Sequence, residues 1–288
     1  MPIAPHYGIP NSVQHTAIAI CGVLAFASLV FCLVRARRDR SALPLYLFAA
    51  GALAVFFEPY PDLLGAAVFP EQDQIGWIST FGRHIPMYIG LTYLFYWAPA
   101  WLWIIDRFRR GITPRAFWAT CGVMVVATCL IELVPLHFGL WTYYGEQPFR
   151  IGGFPLWWAF VNGHSFIASG VVLVLLLRLL PANRWFVLVP VMPAVVLATH
   201  TGGAMLGFST VSSTSSAAIT TAGTLGAMAF TVLMFWIYAR VVCIRGAATG
   251  AGAATAGGPS ANGSDGRRVV PSPPGNAGAA ASAPRAAG

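Results

Sequence analysis

The chain has 288 residues, 57% of them hydrophobic and only 9% charged, with a formal net charge of +8 and a mean hydropathy of +0.68. A soluble domain would carry about 25% charged residues, so a soluble globular fold is excluded and an all-α, polytopic membrane bundle is expected. All of the positive charge is arginine, and the arginines flank apolar runs, which speaks for orientation in a bilayer and against nucleic-acid binding.

Residues 1–15 form an N-terminal segment without the basic start or small-residue cleavage site of a removable signal. Run one covers roughly residues 16–34 and closes in Arg35, Arg37, Arg38 and Arg40. Run two begins at Leu43 and reaches about Phe57, where Glu58-Pro59-Tyr60-Pro61-Asp62 interrupts it. Proline removes a backbone donor and disfavours helix in the residue before it, so the helix should break at Glu58. Asp62 then falls near the start of a short second helix, with Pro61 at or close to its first position. Residues 59–85 read as interfacial and carry Glu71, Asp73, Trp77, Arg83 and His84.

Run three, about residues 86–105, is rich in Tyr and Trp and ends in Asp106, Arg107, Arg109 and Arg110. Run four, about 117–134, contains Glu132 near its end, and a loop over 135–155 follows. Run five (about 156–180) carries Asn162 and His164 early, run six (about 185–206) carries His200 and Thr201 late, and run seven (about 216–242) is closed by Arg240 and Arg245. The domain reading is therefore a seven-span region over 16–245 followed by an Ala/Gly/Pro-rich tail, 246–288, whose composition predicts disorder. No repeat recurs at a fixed period. The arginine clusters alternate with the runs, so the positive-inside rule predicts an N-terminus outside and a cytoplasmic C-terminus.

That topology gathers the remaining ionisable residues in the outer part of the membrane. Glu58 and Glu132 end outward-going runs, Asn162 and His164 begin an inward-going one, and His200 lies late in an outward-going one. Acids at hydrocarbon depth are costly and mark functional sites. Glu58 and Asp62 are candidates for a general acid and its partner, four residues apart as on one helix face; the bland alternative is a capping Asp62 and a Glu58 paired with arginine. Arg83 either grips a carboxylate or snorkels, and His200 with Thr201 has an ordinary alternative as a helix–helix hydrogen bond. The histidines lack metal-ligand spacing. Cys21, Cys32, Cys121 and Cys129 lie in apolar runs and Cys243 at the end of one, so they read as buried small side chains with no disulfide framework. The dense aromatics read mostly as an interfacial belt, with a few available to line a pocket and face a cation.

Four stretches carry a resemblance: Glu58-Pro59-x-x-Asp62-x-Leu64-Gly65, Phe81-Gly82-Arg83-x-Ile85-Pro86, Tyr144-Gly145-Glu146-Gln147-Pro148, and Gly153-Phe154-Pro155-Leu156-Trp157-Trp158-Ala159-Phe160-Val161-Asn162. Together, over roughly residues 43–240, they resemble the spirocyclase AveC-like family of integral membrane proteins. The family is named for a protein of avermectin assembly that makes a spiroketal from a dihydroxy-ketone polyketide and influences a dehydration. The resemblance implies acid-assisted cyclisation of a lipophilic, polyketide-like substrate and assigns no residue roles. The roles follow from chemistry: Glu58 as acid, Asp62 as partner, Arg83 and His84 as tuning groups, and Glu132, Tyr144, Trp158, Asn162, His164 and His200 toward the substrate. The expected partners are a lipophilic small molecule and the bilayer, with no nucleic acid, cofactor or metal. Two other classes stay open: a membrane terpene cyclase protonating a prenyl substrate, and a non-enzymatic transporter or lipid-binding protein, which would usually show internal repeats and paired broken helices.

Overall fold

A computed structural model describes residues 2–213 and 216–243; Arg245 and the expected tail at 246–288 lie outside the described residues. Within them, seven helical segments are long and apolar enough to cross a membrane, and their large apolar side chains are widely exposed, including Val23, Phe26, Leu130, Val134 and Leu233. Apolar surface on that scale needs lipid rather than water around it. The protein is an all-α, multi-pass membrane bundle.

The first span is α1 (Asn11–Asp39), longer at both ends than its apolar run. The arginine-rich stretch continues the helix, with Arg35 bonded to Asp39 one turn on at 3.0 Å. The second span is composite: α2 (Leu43–Leu53), a 3₁₀ turn (Ala54–Phe57) and α3 (Pro59–Leu64). The third to fifth spans are α4 (Met87–Arg109), α5 (Pro114–His137) and α6 (Leu156–Leu179). A 3₁₀ stretch (Ala182–Val187) leads into α7 (Leu188–Val211), and α8 (Ala217–Val242) completes the set.

α6 is the axis of the bundle. It is apolar all round and buried along most of its length, as a helix enclosed on every side must be. It packs on α4, α5, α7 and α8, while α4 also carries α1 and α2. α4 and α5 meet through Phe108 stacked on Phe117, their ring centres 5.7 Å apart.

The two ends of the bundle differ. At one end Arg35 forks onto Asp106 at 3.0–3.2 Å, tying α1 to α4, and Ile112 pairs with Cys243. At the other end the loops form small antiparallel pairs that sequence periodicity did not foresee: β1 (Ala67–Val68) with β4 (Thr142–Tyr143), β2 (Gly76–Thr80) with β3 (Arg83–Pro86), and β5 (Arg150–Ile151) with β6 (Phe154–Pro155). In the β2–β3 hairpin Phe81 and Gly82 both have positive φ, 52° and 69°, the backbone that a two-residue turn of matching twist requires. Residues 59–85, read as interfacial, thus include a hairpin.

The expected break falls at Glu58, which ends the 3₁₀ turn and caps α3, but the approach to it differs from the expectation. The α-helix ends earlier, at Leu53, and the chain runs on to Leu64 as one span. Pro59 has no N–H to give Val55, four residues back. Glu58 N–H takes the Val55 carbonyl instead, at 3.1 Å, which tightens the helix to 3₁₀. Helix resumes at Pro59, not Pro61, so Asp62 lies in the first turn of α3, as expected.

Candidate active site

A cavity opens at the strand-bearing end of the bundle. It offers about 110 Å³ to the centres of water-sized molecules, which is room for several waters or for the head of a larger ligand. Its walls come from the α2–α3 bend (Phe57, Glu58, Pro61, Asp62), α4 (Ile89, Thr92, Tyr93, Tyr96, Trp97) and α5 (Ile131, Glu132). The β1 and β4 region adds Ala67, Phe69, Trp141 and Tyr143, α6 adds Trp158 and Asn162, and α7 adds Val196, Leu197 and His200. Three of the nine acids in the chain meet here. Ile131 of α5 and Ile89, Thr92, Tyr93, Tyr96 and Trp97 of α4 wall the cavity together. Ile131 is 46% exposed.

The Pro-forced turn sets the first pair of acids. Asp62 N–H bonds to the Glu58 carbonyl at 3.3 Å, so an α-type turn joins the two and their side chains leave on one side. Glu58 accepts a hydrogen bond from the Tyr93 hydroxyl. Asp62 is only 5% exposed, and its carboxyl receives no hydrogen bond; Oδ2 is buried without a partner. Gly65, one turn on, has no room for a Cβ: one built there would lie 2.0 Å from Trp158. That close approach brings α3 against α6.

Glu132 is held differently. Oε2 accepts from Trp141 Nε1 at 2.9 Å and from the Tyr143 hydroxyl at 3.1 Å, and Oε1 accepts from Asn162 Nδ2 at 3.2 Å. Because the Asn162 amide must turn its NH₂ to Glu132, its oxygen faces His200 Nε2 at 3.0 Å. His200 therefore donates from Nε2, and its buried Nδ1 lone pair has no partner. Tyr143 lies in β4, beyond the spans. Burial first, and then the Glu132 carboxyl beside it, push its hydroxyl well above the ordinary phenol range, so it remains a donor.

Of the sequence-selected residues, Glu58, Asp62, Glu132, Trp158, Asn162 and His200 share this cavity. Arg83 and Tyr144 stand beside it. Arg83 is 8% exposed and donates from Nη2 to the Tyr144 hydroxyl at 2.7 Å, with its guanidinium carbon 5.9 Å from the centre of that ring. No ion pair joins it to Asp62. His84 is not there. Alternation along β3 sends Arg83 inward and His84 out, where His84 Nδ1 meets Ser79 Oγ at 2.8 Å. His164 is not there either: it is buried between α6 and α8, with Nε2 3.1 Å from the Tyr238 hydroxyl.

Tyr93, Tyr96, Trp97, Trp141 and Tyr143 escaped individual selection. Ile89, Thr92, Tyr93, Tyr96 and Trp97 recur at helical spacing along one face of α4, and that period was the usable signal. Gln147 also escaped it. This buried side chain donates to the Gly65 carbonyl at 2.8 Å and accepts from Trp157 Nε1 at 3.1 Å, tying α3 to the start of α6. Compared with protein-family models, with curated proteins and with solved structures, the chain matches none.

Proposed function

We propose that this membrane protein is a cyclase that closes an oxygen ring on a lipophilic substrate with loss of water. The reading takes its reaction class from the resemblance to spirocyclase AveC-like proteins. The observation that carries it is the meeting of Glu58, Asp62 and Glu132 on the wall of one aromatic-lined cavity. In the proposed reaction Glu58 gives a proton to the hydroxyl of a hemiketal. The carbon–oxygen bond breaks, water leaves, and an oxocarbenium ion remains. A second hydroxyl of the substrate bonds to that carbon and releases its proton to Asp62. The net change is one water lost, with one proton moved from Glu58 to Asp62, four residues away, and returned before the next turnover. The ring faces of Tyr93, Trp97 and Trp158 stabilise the positive carbon. Glu132, fixed by its three donors, shapes the wall on α5, and Asn162 and His200 bind substrate oxygens.

In this reading the substrate enters sideways from lipid past Ile131, which lines the cavity and is 46% exposed. The described arginines gather at the end where Arg35 meets Asp106, with only Arg83 and Arg150 at the other, so we place the N-terminus and the cavity on the outer side. Membranes holding the protein are to be incubated with a dihydroxy-ketone and, separately, with farnesyl and geranylgeranyl substrates, and products read by mass. Loss of 18 mass units from the ketone substrate is the expected result (that is, about one water per turnover); a cyclised prenyl product moves the protein to terpene chemistry. Glu58→Gln is expected to lower turnover by about 100-fold or more with the protein still in the membrane, and full activity in that variant removes Glu58 as the acid. A transport reading draws on the 3₁₀ interruption beside the cavity; solute flux into proteoliposomes without product supports it instead.

A further inference from the structure

We propose that the chamber binds lipophilic ammonium compounds and turns away anions of the same shape. This deepens the cyclase reading and rests on its premise that the cavity is a ligand site. Three observations point to a cation. First, the walls present three carboxyl groups, while the nearest arginine, Arg83, turns to Tyr144. Elsewhere among the described residues Asp39 and Asp106 meet Arg35, and Glu71 meets His6. Among the same residues the chamber acids have no such partner.

Second, eight Phe, Tyr and Trp rings line the same space, among them Tyr93, Tyr96, Trp97, Trp141, Tyr143 and Trp158. Ring faces attract alkylammonium groups, most strongly where water is excluded. Third, Asp62 is 95% buried by difference from its 5% exposure, lines the cavity, and receives no hydrogen bond on its carboxyl. A buried acceptor without a donor is costly, and an ammonium N–H supplies that donor. Ile131 lines the cavity and is 46% exposed, so the alkyl chain of such a ligand can lie in lipid past it while its head sits among the acids. An anionic head in the same place faces three carboxyl groups, none of them in an ion pair among the described residues.

The test uses the full chain in nanodiscs of zwitterionic lipid. Octylamine, octanol and octanoate share one chain length and differ in head charge at neutral pH. Saturable binding is read by tryptophan fluorescence against empty nanodiscs, which removes simple partitioning. Octylamine is expected to bind about tenfold or more tighter than octanol, with no saturable octanoate binding. Glu58→Gln and Asp62→Asn, each checked for an unchanged melting temperature, should weaken octylamine about tenfold and leave octanol as it was. Equal binding of the three compounds, absence of saturable octylamine binding, or full octylamine affinity in both variants overturns the proposal. The two readings fail separately. Selective amine binding without turnover of any substrate leaves the ligand class standing and removes the cyclase; turnover without charge selection does the reverse.

Discussion

Glu132 on α5 and Asp62 on α3 line the same cavity, yet the protein treats them in opposite ways. Glu132 is met by an indole, a phenol and an amide, and the amide is itself backed by His200. Asp62, just as enclosed, is met by nothing. Glu58 stands between these cases with a single donor, Tyr93. A carboxyl whose acceptors are all occupied is fixed in place and has little left to offer a ligand. One left bare in a dry setting is a cost to folding, and groups of that kind accumulate where a ligand or a reaction uses them. The comparison divides the wall into a structural half on α5 and a reactive half on the α2–α3 bend.

The largest expected effect tests the structural half. Glu132→Ala leaves Trp141 Nε1, the Tyr143 hydroxyl and Asn162 Nδ2 without their acceptor. At about 1 kcal/mol for each orphan, the low end of the range, the bundle loses about 3 kcal/mol or more, read as a fall in denaturation midpoint in detergent. Asp62→Asn removes no hydrogen bond, so its stability should stay within about 0.5 kcal/mol of the parent while turnover is lost. If Asp62→Asn proves the more destabilising of the two, the division of the wall is wrong.

A middle-sized effect comes from Gln147→Leu, which touches no acid. It strands the Gly65 carbonyl and Trp157 Nε1, two buried groups on either side of the α3–α6 contact, and should cost about 1–3 kcal/mol. Since Gly65 lies against Trp158, the same change should reach the Asp62 side of the chamber and lower turnover, with Glu132 and its donors undisturbed. Activity that survives this variant intact would mean that the α3–α6 contact does not hold Asp62 in place.

Hydropathy made the seven spans readable, because runs near twenty residues leave few other places to go. Their ends were less readable. α1 runs on to Asp39 and α4 to Arg109 because a helix leaving lipid keeps its hydrogen bonds in water, while the apolar pattern stops at the interface. The acids stood out for the same reason the spans did: Glu58, Asp62 and Glu132 are anomalies in apolar sequence. Their surroundings did not stand out. Tyr93, Trp97 and Trp141 sit in a chain where 13% of residues are aromatic, so residue type alone could not separate a cavity wall from an interfacial belt. Gln147 was invisible because a loop amide is ordinary until a buried indole and a bare carbonyl are seen on either side of it. The hairpin carrying Arg83 and His84 was hidden by its brevity, although Gly82 at its turn was a clue to tight backbone.

The smallest expected effect sits in that hairpin. Adjacent residues on a strand point to opposite faces, so Arg83 is directed to Tyr144 and the chamber side while His84 is directed to Ser79 and the exterior. His84→Ala should alter stability by no more than about 0.5 kcal/mol and leave turnover and its pH profile unchanged. Arg83→Ala removes a buried cation from beside the chamber, and should shift the pH profile of turnover even where the melting temperature is restored by conditions. A pH profile that moves with His84 and not with Arg83 would place the tuning group on the outer face of β3.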